Sequence, residues 1–311
     1  MSTGPRGAAA GPFQPWVSKA EAMIRTKKGT PWIYIAPAAF LLGFLLIYPT
    51  IQTVVLSFFG ASSETFVGIA NYEYAFTDEK MLVSFRNMAL WVVFFTFFTV
   101  TIGLVMAVLL DRVAYESLAK SILFMPMAIS MVGASVIWKF VYAWKPPGGP
   151  QIGLLNKVVE LLGGTPQPWL TIEPFNTFFI IFVGVWIWTG FCMVVISGAY
   201  KNIPTQFLES ARVEGATEWQ IFWKIILPQL RSTIAVVSTT MIVFVLKIFD
   251  FVYVMTNGNF STEVIANRMY KEMFKFQHFG RASTLAVILL LLTLPIMIAN
   301  VKRFQKQREE R

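Results

Sequence analysis

The chain has 311 residues, 56% hydrophobic and 14% charged, with a mean hydropathy of +0.60 and a formal net charge of +9. That balance excludes an ordinary soluble protein, and the apolar runs leave no room for a second, soluble core. Cys192 and His278 are the lone residues of their types, which excludes a disulfide framework and a His/Cys metal centre.

Residues 1–31 are rich in Gly, Ala, Pro, Lys and Arg and contain no separate apolar core of a cleavable signal, so they read as a tail with a short interfacial helix. The first predicted span covers Trp32 to Phe59, with bends expected at Pro37 and Pro49. The next 28 residues are polar and acidic (Glu64, Glu73, Asp78, Glu79), and Met88–Leu110 is an uncharged run of 23, the second span. Asp111, Arg112, Glu116 and Lys120 form a polar turn before the third span, Ser121–Trp138, which Pro126 interrupts. A Pro- and Gly-rich segment, 145–173, carries an amphipathic piece at Ile152–Leu162 closed by Gly163-Gly164. The fourth span is Pro174–Tyr200, a polar stretch follows at 201–231, and the fifth span runs from Ser232 to Met255. Residues 257–281 are polar, Ala282–Val301 is the sixth span, and 302–311 form a charged tail.

Six spans put both ends on one side of a bilayer. The two tails, the 111–120 turn and the 201–231 stretch hold 16 Lys and Arg, against 8 in the three opposite segments. The positive-inside rule therefore places both termini and the 201–231 stretch in the cytoplasm. The same distribution explains the net charge by orientation, without nucleic-acid binding.

The 201–231 stretch reads as two short helices with a turn between them. Pro204 suits the first turn of a helix, and Gly215 takes the left-handed position that ends it. Thr217 and Gln220 have capping-box spacing, so a second helix starts there and is expected to end at Pro228. Glu209, Ser210, Ala211, Glu214, Gly215, Ala216, Ile225, Leu227 and Pro228 form a pattern over these helices: Glu-Ser-Ala, three residues, Gly, nine residues, Ile-x-Leu-Pro. It resembles the coupling loop of permease subunits in binding-protein-dependent ABC importers, in which Ser210 replaces an alanine and Glu214 a commoner aspartate. The segment Ile248–Phe260 and its continuation are similar to the sugar branch, and to the α-glucoside permeases within it. Thr256-Asn257-Gly258-Asn259-Phe260 departs from that branch's usual Thr-x-Gly-Gly-Pro.

This resemblance implies an all-α six-span membrane domain over residues 32–301, forming half of a pore for a sugar. It implies a second, similar permease subunit, two ATPase subunits that receive the coupling loop, and an extracytoplasmic sugar-binding protein. Glu209 would pair with a basic group on the ATPase. The chain contains no Gly-x4-Gly-Lys-Ser/Thr phosphate loop, so ATP and Mg would bind to the partner and no cofactor to this chain.

Candidate pathway residues are Trp186, Trp188 and Thr189, midway along the fourth span, where indole faces and a hydroxyl suit a sugar ring. Lys247 and Asp250 are ionisable residues within the fifth span, three apart and therefore on one helix face, and Asn257 follows them. Beyond, Ser261–Phe276 reads as an amphipathic helix with a Met269, Met273, Phe276 stripe and a basic Arg268, Lys271, Lys275 stripe. The basic stripe could dock an acidic partner or lie against lipid headgroups. The alternative is a self-contained secondary transporter or channel, against which the missing internal repeat and the coupling motif both argue. A membrane-embedded transferase would need clustered carboxylates or histidines near a span end, and the sequence has none.

Overall fold

The computed structural model describes residues 30–309 apart from Arg112 and Pro147. Most of the N-terminal tail, with its expected interfacial helix, lies outside the described residues. The described residues divide into two units, with the boundary between Thr53 and Val54. In the first, helix α1 runs Thr30–Leu42, widens into a π-helical stretch at Gly43–Ile47, and continues as Tyr48–Leu56 into the second unit. The π stretch stands just before Pro49, whose missing N–H and bulky ring a regular turn would not accommodate. The helix continues through Pro37 and Pro49, the two positions where bends are expected.

The second unit is helical, and its described residues form no β-strand beyond an isolated Phe59–Phe66 bridge. A short helix α2 (Ala70–Thr77) precedes α3 (Glu79–Leu110). The Asp78 carboxylate accepts from the Met81 N–H (3.1 Å), so α3 starts nine residues before the apolar run that announced it. The third span is broken: α4 (Glu116–Phe124) and a 3₁₀ turn containing Pro126 lie at 97° to α5 (Met131–Val141). Ser130 restarts the helix by accepting from the Gly133 N–H at 3.0 Å. Helix α6 (Leu154–Leu161) occupies the amphipathic piece, and α7 (Asn176–Tyr200) is the central column. Its Ile180, Ile187, Met193 and Ile196 are fully buried. At Gly190 a side chain is impossible, because a Cβ would lie 2.4 Å from the Leu123 carbonyl oxygen of α4.

Helix α8 (Thr205–Val213) precedes α9 (Glu218–Val245), which has a π-helical stretch at Phe222–Ile226. Pro228 does not end a short second helix: the π turns just before it absorb the missing bond, and the helix becomes the fifth span. That span itself ends at Val245 rather than Met255, and α10 (Asp250–Met255) follows a break. Helix α11 (Ile265–Tyr270, with Lys271–Lys275 in π form) leads to α12 (Phe279–Glu309). Among the described residues five helices are long and apolar enough to cross a membrane, or six if the bent α4–α5 pair is one span.

Side-chain contacts sort the loops to two ends. At one end Asn87 donates to the carbonyls of Ser261 (2.7 Å) and Glu263 (2.8 Å), and Asn176 to that of Phe260 (2.6 Å). At the other end Lys120 of α4 binds Ser197 of α7, beside the 201–217 stretch.

Candidate functional site

Pro204 stands one position earlier than its sequence context suggests: it is the N-cap of α8, with ψ 126°, rather than a residue of the first turn. At the other end Gly215 has φ +83°. Its N–H binds the Arg212 carbonyl (3.0 Å) and the Ala216 N–H binds the Ala211 carbonyl (2.9 Å), the pair of bonds that closes a helix on a left-handed glycine. Thr217 and Gln220 then cap α9 reciprocally: Thr217 Oγ1 accepts from the Gln220 N–H (3.3 Å) and Gln220 Oε1 from the Thr217 N–H (2.8 Å). Arg212 Nε donates to Glu218 Oε1 across the turn at 2.8 Å.

The apolar side of this unit is anchored. Ile221 and Ile226 are fully buried, Leu208 is buried, and Ala211, Ala216, Ile225 and Leu227 pack against the main core. The other side is bare. Glu209, Ser210, Glu214, Gly215 and Pro228 are exposed, as are Val213 (88%) and Trp219 (70%). Trp219, Phe222 and Trp223 form an aromatic cluster with ring centroids 5.4–6.3 Å apart. A rigid turn offering carboxylates beside exposed indoles has the makings of a docking element, since such surface is normally hidden.

The pathway candidates do not assemble into one site. Residues two apart on a helix point to different sides. Trp186 accordingly packs edge-on against Trp138 of α5 (5.5 Å), whereas Trp188 packs on Phe244 of α9 (4.3 Å). Thr189 Oγ1 donates to the Val185 carbonyl of its own helix (2.7 Å). The shared helix face expected of Lys247 and Asp250 is absent. Lys247 lies exposed in the break, Asp250 opens α10, and among the described residues no ion pair joins them. Lys247 borders an apolar groove of about 610 Å³ with Phe249, Met269, Tyr270 and Leu290. Asn257 sits at the opposite-end loop, φ +53°, with its carbonyl accepting from Lys271 Nζ at 2.7 Å.

The basic stripe of α11 also proves different. Arg268 is buried, forming an ion pair with Glu272 (2.8 Å) and donating to the Tyr74 hydroxyl. Lys271 is paired with Glu263 at 2.6 Å, and of the three only Lys275 is exposed. Burial pushes the Tyr74 phenol up to about 12, against the pull of the Arg268 guanidinium. Charges that periodicity assigned to a free face therefore hold α2 and α11 together.

A second cluster escaped sequence reasoning. Glu116 accepts from both Lys120 and Lys201 (2.6 Å to the latter), and Asp111 lies 4.0 and 3.9 Å from the same two lysines. The Glu116 carboxylate holds the Lys201 ammonium above its usual range. The i,i+4 spacing of Glu116 and Lys120 was a readable signal; the arrival of Lys201 was not.

The model of the binding-protein-dependent transport system inner membrane component family matches residues 99–308, most of the membrane region and the whole 201–231 stretch. The chain belongs to this family. It is similar to the osmoprotective compounds uptake permease protein GgtC of a Synechocystis species, 56% identical over 279 residues, covering 90% of this chain and 100% of that one. It is also similar to the alpha-glucoside transport system permease protein AglF of Rhizobium meliloti, 44% identical over 278 residues, 89% of this chain and 83% of that one. Among solved structures, a bacterial ABC transporter involved in the import of the acidic polysaccharide alginate superposes with a TM-score of 0.76. That match covers 94% of this chain and 99% of the other at 20% identity, so it speaks to the fold. The chain is thus a membrane permease with the fold of ABC importer permeases.

Proposed function

We propose that this permease forms half of the translocation pathway for an α-glucoside or small oligosaccharide, driven by ATP hydrolysed on a separate subunit. The other half is a second, similar permease, and an extracytoplasmic binding protein delivers the sugar. The observation that carries the reading is the exposed turn around Gly215, a preformed knob with Glu209, Glu214, Val213 and Trp219 on its surface. The names of the two relatives, concerned with osmoprotective compounds and alpha-glucosides, support a polar organic solute.

In this arrangement 201–231 faces the cytoplasm, as do both termini, and two ATPase subunits bind ATP and Mg. This chain binds no cofactor and no nucleic acid. Each ATPase receives one coupling knob, Glu209 meeting a basic group there. Closure of the ATPase dimer around ATP displaces the knobs and switches the pore between inward- and outward-facing states. Of the pathway candidates, Lys247 and Asn257 are exposed and line cavities, and Trp186, Trp188, Thr189 and Asp250 are half-buried; we place all six along the solute's route.

Copurification through a tag on this chain, with and without Glu209→Ala, tests the reading. Recovery of an ATPase and a second permease with the parent chain, and loss of the ATPase from the variant, is the expected result. Uptake of labelled sucrose or trehalose that persists when no ATPase is present would instead return the chain to the class of self-contained transporters.

A further inference from the structure

The charges at the base of the coupling loop lie where three helices end. Asp111 caps the C-terminus of α3, Glu116 opens α4, and Lys201 caps the C-terminus of α7. Two of these placements suit the helix dipoles, an acid at an N-terminus and a base at a C-terminus. Asp111, an acid at a C-terminus, does not suit its own helix, and the two lysines within 4.0 Å offset that cost. Lys120 is the inner member, its side chain 14% exposed, and it also binds Ser197 one turn before Lys201. Lys201 is 54% exposed, and its ion-pair partners are Asp111 and Glu116.

Geometry extends the cluster's reach. Helix α4 runs antiparallel to the end of α7, from Glu116 at Lys201 to Leu123 pressed on Gly190. Beyond the 97° elbow, Trp138 and Tyr142 at the α5 end meet Trp186 and Phe179 of α7. The broken span therefore leans on α7 at three heights. Its charged foot is the only one of these within two turns of α8, where the coupling knob begins.

We propose that Glu116 and Lys201, with Asp111 and Lys120, form a joint that makes α4 move as one body with the coupling loop. Displacement of the loop by the ATPase then acts on the elbow at Met125–Ala128 and swings α5 at the solute's route. Lys201 and Glu116 are positioning residues, touching neither solute nor nucleotide. The inference rests on the coupling reading above, but the joint itself does not need the ATPase.

The test uses the complex copurified with this chain, in lipid nanodiscs, with spin labels on cysteines at Leu118 (α4) and Gln206 (α8) in a Cys192→Ser background. Without nucleotide, the label-to-label distribution should be narrow in the parent and broadened in Glu116→Gln and Lys201→Met, with Lys201→Arg restoring it. Trapping with ATP, Mg and vanadate should leave the parent distance unchanged. In the two neutral variants it should shift by more than about 2 Å, beyond the usual sliding of packed helices. With the same complex reconstituted into sealed proteoliposomes, sucrose or trehalose uptake per ATP hydrolysed should fall at least about fivefold in the variants, the lower end of typical coupling between sites. A parent distance that changes on trapping, or neutral variants as narrow as the parent, overturns the joint. Loss of the ATPase from the parent complex would sink the coupling reading alone, leaving the nucleotide-free widths to decide the joint. Lys201→Met, at a half-exposed position, guards against a folding defect in Glu116→Gln.

Discussion

Gly215 offers a quantitative test of the coupling knob. Its φ of +83° lies in the left-handed region, yet a Cβ built there meets nothing within 4 Å. A substitution therefore costs only backbone strain, about 1–2 kcal/mol for alanine, with valine toward about 3 kcal/mol because its branched Cβ crowds the same backbone. At tenfold per 1.4 kcal/mol, Gly215→Ala should depopulate the native turn by roughly 5–30-fold relative to its unstrained alternatives. The strain falls on the bonds Gly215–Arg212 (3.0 Å) and Ala216–Ala211 (2.9 Å), which set the angle between α8 and α9. The buried anchors Leu208, Ile221 and Ile226 are untouched. Affinity of the purified permease complex for its ATPase should accordingly drop by up to that factor in Gly215→Ala and further in Gly215→Val, while thermal melting of the membrane domain stays at the parent value. Undiminished affinity in both variants, with normal expression, refutes the claim that the left-handed turn presents the docking surface.

Cysteines at Thr165 and Ser261, in a background lacking Cys192, should react with an impermeant thiol reagent on intact cells, and one at Gln220 only after permeabilisation; the reverse pattern would invert the proposed orientation. In a double-mutant cycle on uptake, Lys247→Met and Asp250→Asn should add within about 0.5 kcal/mol, as unpaired residues do. A coupling energy well above that would restore a charged gate across the helix break. Glu272→Gln should loosen the packing of α11 on α2, measured as faster amide exchange over 265–275. It removes one partner of a buried ion pair (Glu272 side chain 1% exposed, Arg268 10%), a change that typically costs roughly 3–5 kcal/mol. Parent-like exchange would show that the Tyr74 hydroxyl suffices for Arg268.

The membrane class, the apolar spans and the turn at Gly215 were legible in the chain because each depends on local chemistry. A run such as Met88–Leu110 is apolar whatever surrounds it. The left-handed Gly215 and the Thr217–Gln220 cap are decided within a few residues by backbone sterics and reciprocal hydrogen bonds. Family membership followed from the same stretch, since its spacing encodes that turn. Local rules went astray where distant partners intervene. Pro228 reads as a helix terminator, yet a π stretch lets the helix pass, held by the buried Ile226 and Leu230 on its inner side. Lys247 and Asp250 share a face only if the helix continues, and it stops at Val245, where Leu246 and Ile248 turn into the core. The basic stripe of α11 looked free because its acidic and phenolic partners, Glu263 and Tyr74, come from outside the helix. The Glu116–Lys201 pair is the clearest case: the chain of α4, α5, α6 and α7 separates the two residues, and only the packing of α4 along α7, made close by Gly190, brings the two charges to 2.6 Å. Periodicity reports which side of a helix is apolar; which charges meet is settled by how the helices cross.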